Sequence, residues 1–148
     1  MLLVCVFFGT RSTSACTCAQ PKDAKPFDLA QAVFVGKVIS VVKPQPRLID
    51  RRRKLYEYSL DLVVRFKVTT VWKYVTHSYV TLTTMEQSSA CGYHFDVGKT
   101  YLVYAYANQD GLNTNLCSET KELSAAEPDL KQIGPGQSIR ELTRFGGQ

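Results

Sequence analysis

The sequence has few histidines and no long apolar segment. These two absences exclude several classes of protein. The longest apolar run near a terminus, Leu2 to Gly9, falls well short of the roughly 20 residues that a membrane-spanning helix needs. His77 and His94 are the only histidines, and neither lies in a pattern with a nucleophile and an orienting acid. Cys16 and Cys18 are separated by one residue, whereas redox-active cysteine pairs are separated by two. We therefore expect no membrane span, no enzyme and no cofactor.

The first residues have the pattern of a secretory signal peptide. The apolar run is followed by small residues, Ser12 to Ala15, so residues 1–15 are predicted to be a signal and residues 16–148 a single mature domain. The tail after about residue 135 has no interpretable pattern. Cleavage would also remove Cys5 and leave an even number of cysteines, which suits an oxidising compartment. A secreted, extracellular protein is predicted, with two disulfides in any of three pairings.

Alternating and β-branched apolar segments predict an all-β domain. The chain has 148 residues, 45% hydrophobic and 21% charged, which is the composition of one globular domain. A short helix is predicted between Ser124 and Gly134, where Ser124 and Glu127 resemble a capping box. Five strands with a flanking helix fit a five-stranded Greek-key barrel of the OB type, although periodicity alone leaves a small sandwich possible. The strands are predicted at Val33–Val42, Leu55–Trp72, Tyr79–Thr84 and Thr100–Ala107, with a fifth near Asn113–Cys117.

Basic residues are concentrated between the first two predicted strands. Arg47 and the run Arg51, Arg52, Arg53 and Lys54 supply much of the formal net charge of +5. A solvated hairpin tip accounts for such a run, and contact with a sulfated polysaccharide through its four residues is the functional alternative. Because the protein is predicted to be secreted, nucleic acid is not an expected partner. A monomer is expected.

Five short motifs follow one another along the chain in a familiar order. They are Cys16-Thr17-Cys18, the strand segment Val33–Val38, Val71-Trp72-Lys73, Ser89-Ala90-Cys91-Gly92-Tyr93, and Gln109-Asp110-Gly111-Leu112 ahead of Cys117. Their order and spacing resemble the inhibitory half of the tissue inhibitors of metalloproteinases, a family with a netrin-like domain. The resemblance implies the disulfides Cys16–Cys91 and Cys18–Cys117. The family's third disulfide in this half has no counterpart, since Asp28 stands where its first cysteine would be, and the cysteine-rich second domain is missing.

The resemblance implies a secreted metalloproteinase inhibitor rather than an enzyme. In that family the free amine and the carbonyl of the first cysteine, here Cys16, bind the catalytic zinc of the protease. A catalytic zinc keeps one coordination position open, and a neutral amine can occupy it. The partner would be a zinc metalloproteinase, which itself provides the metal. The implied contact residues are Cys16, Thr17, Cys18 and Ala19, together with Ser88, Ser89 and Ala90.

The same cysteines also fit three alternative roles. Many netrin-like modules inhibit no protease, so a non-inhibitory extracellular interaction module is the main alternative. A zinc site made by the reduced cysteines 16, 18, 91 and 117 with His94 is disfavoured, because their spacing lacks the paired two-residue gaps of zinc knuckles. Lipid attachment at Cys16 is disfavoured by Thr13, where lipoprotein signals usually have leucine.

Overall fold

The structure, a computed structural model, describes residues 16–19, 23–140 and 142. The predicted signal peptide lies outside these residues. Among the residues described, no helix has the length and apolar content needed to cross a bilayer. The strands are β1 (Ala32–Val42), β2 (Arg47–Asp50), β3 (Leu55–Glu57), β4 (Asp61–Lys73), β5 (Tyr79–Met85), β6 (Thr100–Asn108), β7 (Gly111–Asn113), β8 (Lys121–Glu122) and β9 (Gln137–Ser138), and the α-helices are α1 (Pro26–Leu29) and α2 (Glu127–Ile133).

Five of the strands close into a barrel. Their order is β1, β4, β5, β7 and β6, and β6 pairs again with β1. Neighbouring strands are antiparallel except β5 and β7, which meet in parallel at Thr83 and Asn113. β8 and β9 extend β6 and β4 outside this ring. The predicted all-β fold, a closed five-stranded barrel of the OB type, is confirmed.

Side-chain alternation buries β1 and β6 on both faces. Inside the barrel, Phe34 packs edge-to-face on Phe66, with ring centroids 5.6 Å apart, in the main apolar core. On the outer face, Val33, Leu102 and Tyr104 form a second apolar cluster with side chains from α1 and α2. A strand covered on both faces shows a continuous apolar run in its sequence, which is why the prediction of β1 was accurate.

The prediction of one long strand from Leu55 to Trp72 was wrong. The chain instead forms β3 and β4, with a break at residues 58–60. At the break the side-chain hydroxyl of Ser59 accepts the N–H of Asp61 at 3.1 Å, a local bond that turns the chain. β3 pairs only with β2, as a two-stranded sheet separate from the barrel.

Two smaller predictions were corrected at the C-terminal side of the barrel. The predicted strand near Asn113–Cys117 is only the three-residue β7, and residues 114–117 form a loop. The helix is present as α2, and Gly134 is its C-cap, with a positive φ of 74° that glycine adopts without strain. The predicted capping box is not formed, because the N-cap is Ala126 and Ser124 lies in a preceding 3-10 helix.

Candidate functional site

Two disulfides anchor residues 16–19, called the N-terminal segment below, to the barrel. Cys16 pairs with Cys91 and Cys18 with Cys117, the pairs that the resemblance implied, with Cα–Cα distances of 5.4 and 5.3 Å. The sulfur atoms of Cys16 and Cys117 are 3.8 Å apart, so the two disulfides lie side by side. Between and after the anchors, the residues at positions 17 and 19 are exposed. The segment is therefore fixed in place while its side chains face solvent.

Ser88, Ser89 and Ala90 form one turn of 3-10 helix just after β5, called the ridge below, and all three are exposed. The turn is closed by the N–H groups of Ala90 and Cys91, which donate to the carbonyls of Gln87 and Ser88, each at 3.0 Å. Cys91 itself has a left-handed backbone, with φ of 63°. Its disulfide joins the ridge covalently to the N-terminal segment. The two groups of contact residues that the sequence predicts are thus linked to each other through Cys16 and Cys91.

Gly92 lies two residues after the ridge and has no room for a side chain. A Cβ on this buried residue would overlap the carbonyl oxygen of Met85 and lie 2.9 Å from that of Gln87, so backbone would have to move. We expect Gly92→Ala to lower the free energy of unfolding by about 3 kcal/mol through overpacking. Urea denaturation of the variant and the parent protein measures this difference in the free energy of unfolding.

The matched control for Gly92→Ala is Gly98→Ala. A Cβ on Gly98 would have no atom within 4 Å, but the residue has a φ of 90°, so its substitution should cost only about 1 kcal/mol. Equal losses of stability in the two variants would contradict the steric argument.

A buried hydroxyl network supports the loop that carries Cys117. β6 pairs with β8 at Tyr101 and Leu102 and with β7 from Tyr106, which leaves a gap at Tyr104. The Thr120 hydroxyl accepts the N–H of Tyr104 at 3.0 Å, and the Thr114 hydroxyl donates to its carbonyl at 3.0 Å. The two hydroxyl groups thus provide the hydrogen-bond partners that a neighbouring strand would otherwise give to the backbone of Tyr104.

The same network continues towards the disulfide. The Ser118 hydroxyl lies 2.6 Å from that of Thr114, and Cys117 donates its N–H to the side chain of Asn115 at 2.8 Å. Leu116 donates its N–H to the carbonyl of Cys91 at 2.8 Å, which ties the loop to the end of the ridge. No pattern in the sequence indicates this support, because short hydroxyl residues in a loop ordinarily face solvent.

A shallow pocket lies beside the ridge, lined by Leu60, Met85, Glu86, Gln87 and Ala90. Glu86 is held there by two contacts. Its N–H donates to the carbonyl of Leu60 at 2.9 Å, and its carboxylate pairs with Lys43 at 2.5 Å. These contacts connect the start of the ridge to both ends of the chain segment between β1 and β4.

His94 does not join the cysteines. Its side chain is 86% exposed and lies 3.3 Å from the carboxylate of Asp96. A hydrogen bond from Lys99, assisted by His94, holds the pKa of Asp96 below its usual value. In the part of the chain that the structure describes, the metal-ligand atoms that cluster within 4.8 Å are the sulfurs of Cys16, Cys18 and Cys117, all engaged in disulfides. The zinc site with His94 as a fifth ligand is not assembled.

Comparison with known families supports the relationship that the motifs suggest. A family model described as tissue inhibitor of metalloproteinase matches residues 14–128, which include the N-terminal segment, the ridge and the Cys117 loop. Among curated proteins there is no significant match to the sequence. The family match covers well over half of the 148 residues. The chain belongs to the tissue inhibitor of metalloproteinase family.

Proposed function

We propose that this metalloproteinase inhibitor acts by placing the amine and carbonyl of Cys16 on the catalytic zinc of its target protease. The mature, secreted chain would begin at Cys16 and act as a monomer. The observation that supports this most is the covalent link from Cys16 to Cys91, which holds an exposed N-terminal segment against the exposed ridge. One rigid surface then carries both the metal donors and their flanking contacts.

The chemistry of an N-terminal amine suits this role. Its reference pKa of about 7.7–8.0 leaves an appreciable neutral fraction at physiological pH, and zinc binding would favour loss of the remaining proton. The amine nitrogen and carbonyl oxygen of one residue close a five-membered ring with a metal ion. They would displace the water that a catalytic zinc activates. Thr17 would follow into the pocket beside the zinc, and the ridge would contact the adjoining rim.

Preorganisation of the N-terminal segment and the ridge would allow a small number of contact residues to bind the protease tightly. Each side chain or segment that is ordered on binding costs free energy, and the two disulfides order the N-terminal segment in advance. The ridge is likewise fixed by its turn hydrogen bonds and by the link from Leu116 to Cys91. The exposed residues Thr17 and Ala19 would meet the protease without rearrangement of the backbone.

The proposal is tested by titrating oxidised protein that starts at Cys16 against a panel of zinc metalloproteinases, with and without a small hydroxamate that occupies the catalytic zinc. We expect mutually exclusive binding, so that the apparent Ki rises in proportion to hydroxamate concentration. Inhibition that is independent of hydroxamate would place the contact away from the zinc. If no protease is inhibited although mass spectrometry confirms both disulfides, the non-inhibitory interaction module becomes the better supported function.

A further inference from the structure

The chain between β1 and β4 projects from the barrel as an arm, defined here as residues 43–60. Its two strands, β2 and β3, pair with each other and not with the barrel sheet. Every residue of the arm is described, and none of them is buried. The β2–β3 hairpin is therefore open to solvent, and the arm contacts Glu86 at its base through Lys43 and Leu60.

Large apolar side chains lie exposed along the whole arm. Leu48 and Tyr56 are cross-strand partners, so they form a continuous apolar contact on one face of the hairpin. Monomeric proteins seldom leave so many apolar groups together in solvent unless the surface has a partner. The exposed fractions are 41% for Leu48, 54% for Ile49, 51% for Leu55, 46% for Tyr56, 67% for Tyr58 and 66% for Leu60.

The tip of the arm is strongly cationic and its backbone is fixed. The carboxylate of Asp50 accepts the N–H groups of Arg52 and Arg53 at 2.8 and 3.1 Å, which closes the turn. Four consecutive basic residues, from Arg51 to Lys54, are held at this turn and all are exposed. From Arg47 to Glu57 there are five basic and two acidic residues, which gives a net charge of +3.

We propose that this arm binds the surface of an anionic lipid bilayer. Cations at the tip would contact lipid phosphates and carboxylates, while the apolar and tyrosine side chains enter the boundary between headgroups and acyl chains. A sulfated polysaccharide, the ligand suggested by the charges alone, offers no apolar surface for the six exposed apolar side chains of the arm. The combination of both features on one projecting hairpin favours the bilayer. This inference does not depend on the mode of protease inhibition.

The test is sedimentation of the oxidised protein with vesicles of phosphatidylcholine containing a quarter phosphatidylserine, at physiological salt. We expect binding to these vesicles and none to pure phosphatidylcholine. Replacing Arg51, Arg52 and Arg53 by Gln should lower the partition coefficient roughly 100-fold, since each charge near the surface contributes about fivefold. Replacing Leu55 and Tyr56 by Ser should lower it by about tenfold or more while keeping every charge.

The control variant removes three positive charges elsewhere, by Lys37→Gln, Lys67→Gln and Lys131→Gln on exposed sites of the barrel and α2. It should retain most of the vesicle binding. Unchanged near-UV circular dichroism shows that each variant is folded. Binding to a heparin column without binding to anionic vesicles would overturn the proposal in favour of the polysaccharide. Vesicle binding that is lost equally in the control variant, or unaffected by Leu55→Ser with Tyr56→Ser, would also overturn it.

Discussion

A single alanine added before Cys16 is expected to abolish protease inhibition, raising Ki by about a thousandfold, equivalent to about 4 kcal/mol. The added peptide bond converts the amine into an amide, whose nitrogen has no lone pair available for a metal. The extra residue would also occupy the space that the zinc needs. Stability should not change, because Cys16 is only half-buried and both disulfides are retained. The measurement is Ki for the extended and unextended proteins against one sensitive protease.

Reversal of the extension provides the control. Removal of the alanine by an aminopeptidase should restore full inhibition without any refolding. The unextended protein should also lose affinity as the pH falls below about 8, because more of its amine is protonated and must release its proton to bind. If the extended protein inhibits as well as the mature form, zinc chelation by Cys16 is wrong, whatever the ridge contributes.

The barrel could be predicted from the sequence because its strands have a covered face. Val64, Phe66 and Val68 are buried in the core as their alternation predicted. Tyr56, Tyr58 and Leu60 continue the same alternation, yet they lie in the uncovered arm. Periodicity of two identifies extended backbone, and it carries no information about whether another layer lies on the apolar face. The break contains a local hydrogen bond from the N–H of Asp61 to the hydroxyl of Ser59, which the alternation does not reveal.

The candidate site could be predicted only in part. The residues around Cys16 and Cys91 indicated the site through their resemblance to a known family. The pairing of the four cysteines came from the same resemblance, because it does not follow from sequence alone. The supporting network at Thr114, Ser118 and Thr120 could not be foreseen. Its hydroxyls take the place of a strand beside Tyr104 on the side of β6 that carries β7 and β8, and that gap exists only in the folded barrel.

Replacing Cys18 and Cys117 together by serine is expected to lower the free energy of unfolding by about 3–4 kcal/mol. Because Cys16–Cys91 remains in the variant, the ring that Cys18–Cys117 closes in the unfolded chain runs through residues 16–18 and 91–117. A ring of about 30 residues still restricts the unfolded chain strongly in the chain-entropy model. The loss is a large part of the roughly 5–15 kcal/mol typical of a domain. Urea denaturation should show a lower midpoint together with a larger m-value, because the unfolded chain becomes more expanded.

The same double variant separates stability from preorganisation of the N-terminal segment. Below the unfolding transition the barrel should remain folded, with its circular dichroism unchanged, while the N-terminal segment keeps only the anchor at Cys91. Inhibition should then weaken, because Thr17 and Cys18 must be ordered at each binding event. The control is Gly98→Ala, which lowers stability without touching the segment. If the double variant inhibits as strongly as the parent, the second disulfide stabilises the fold and has no part in shaping the inhibitory surface.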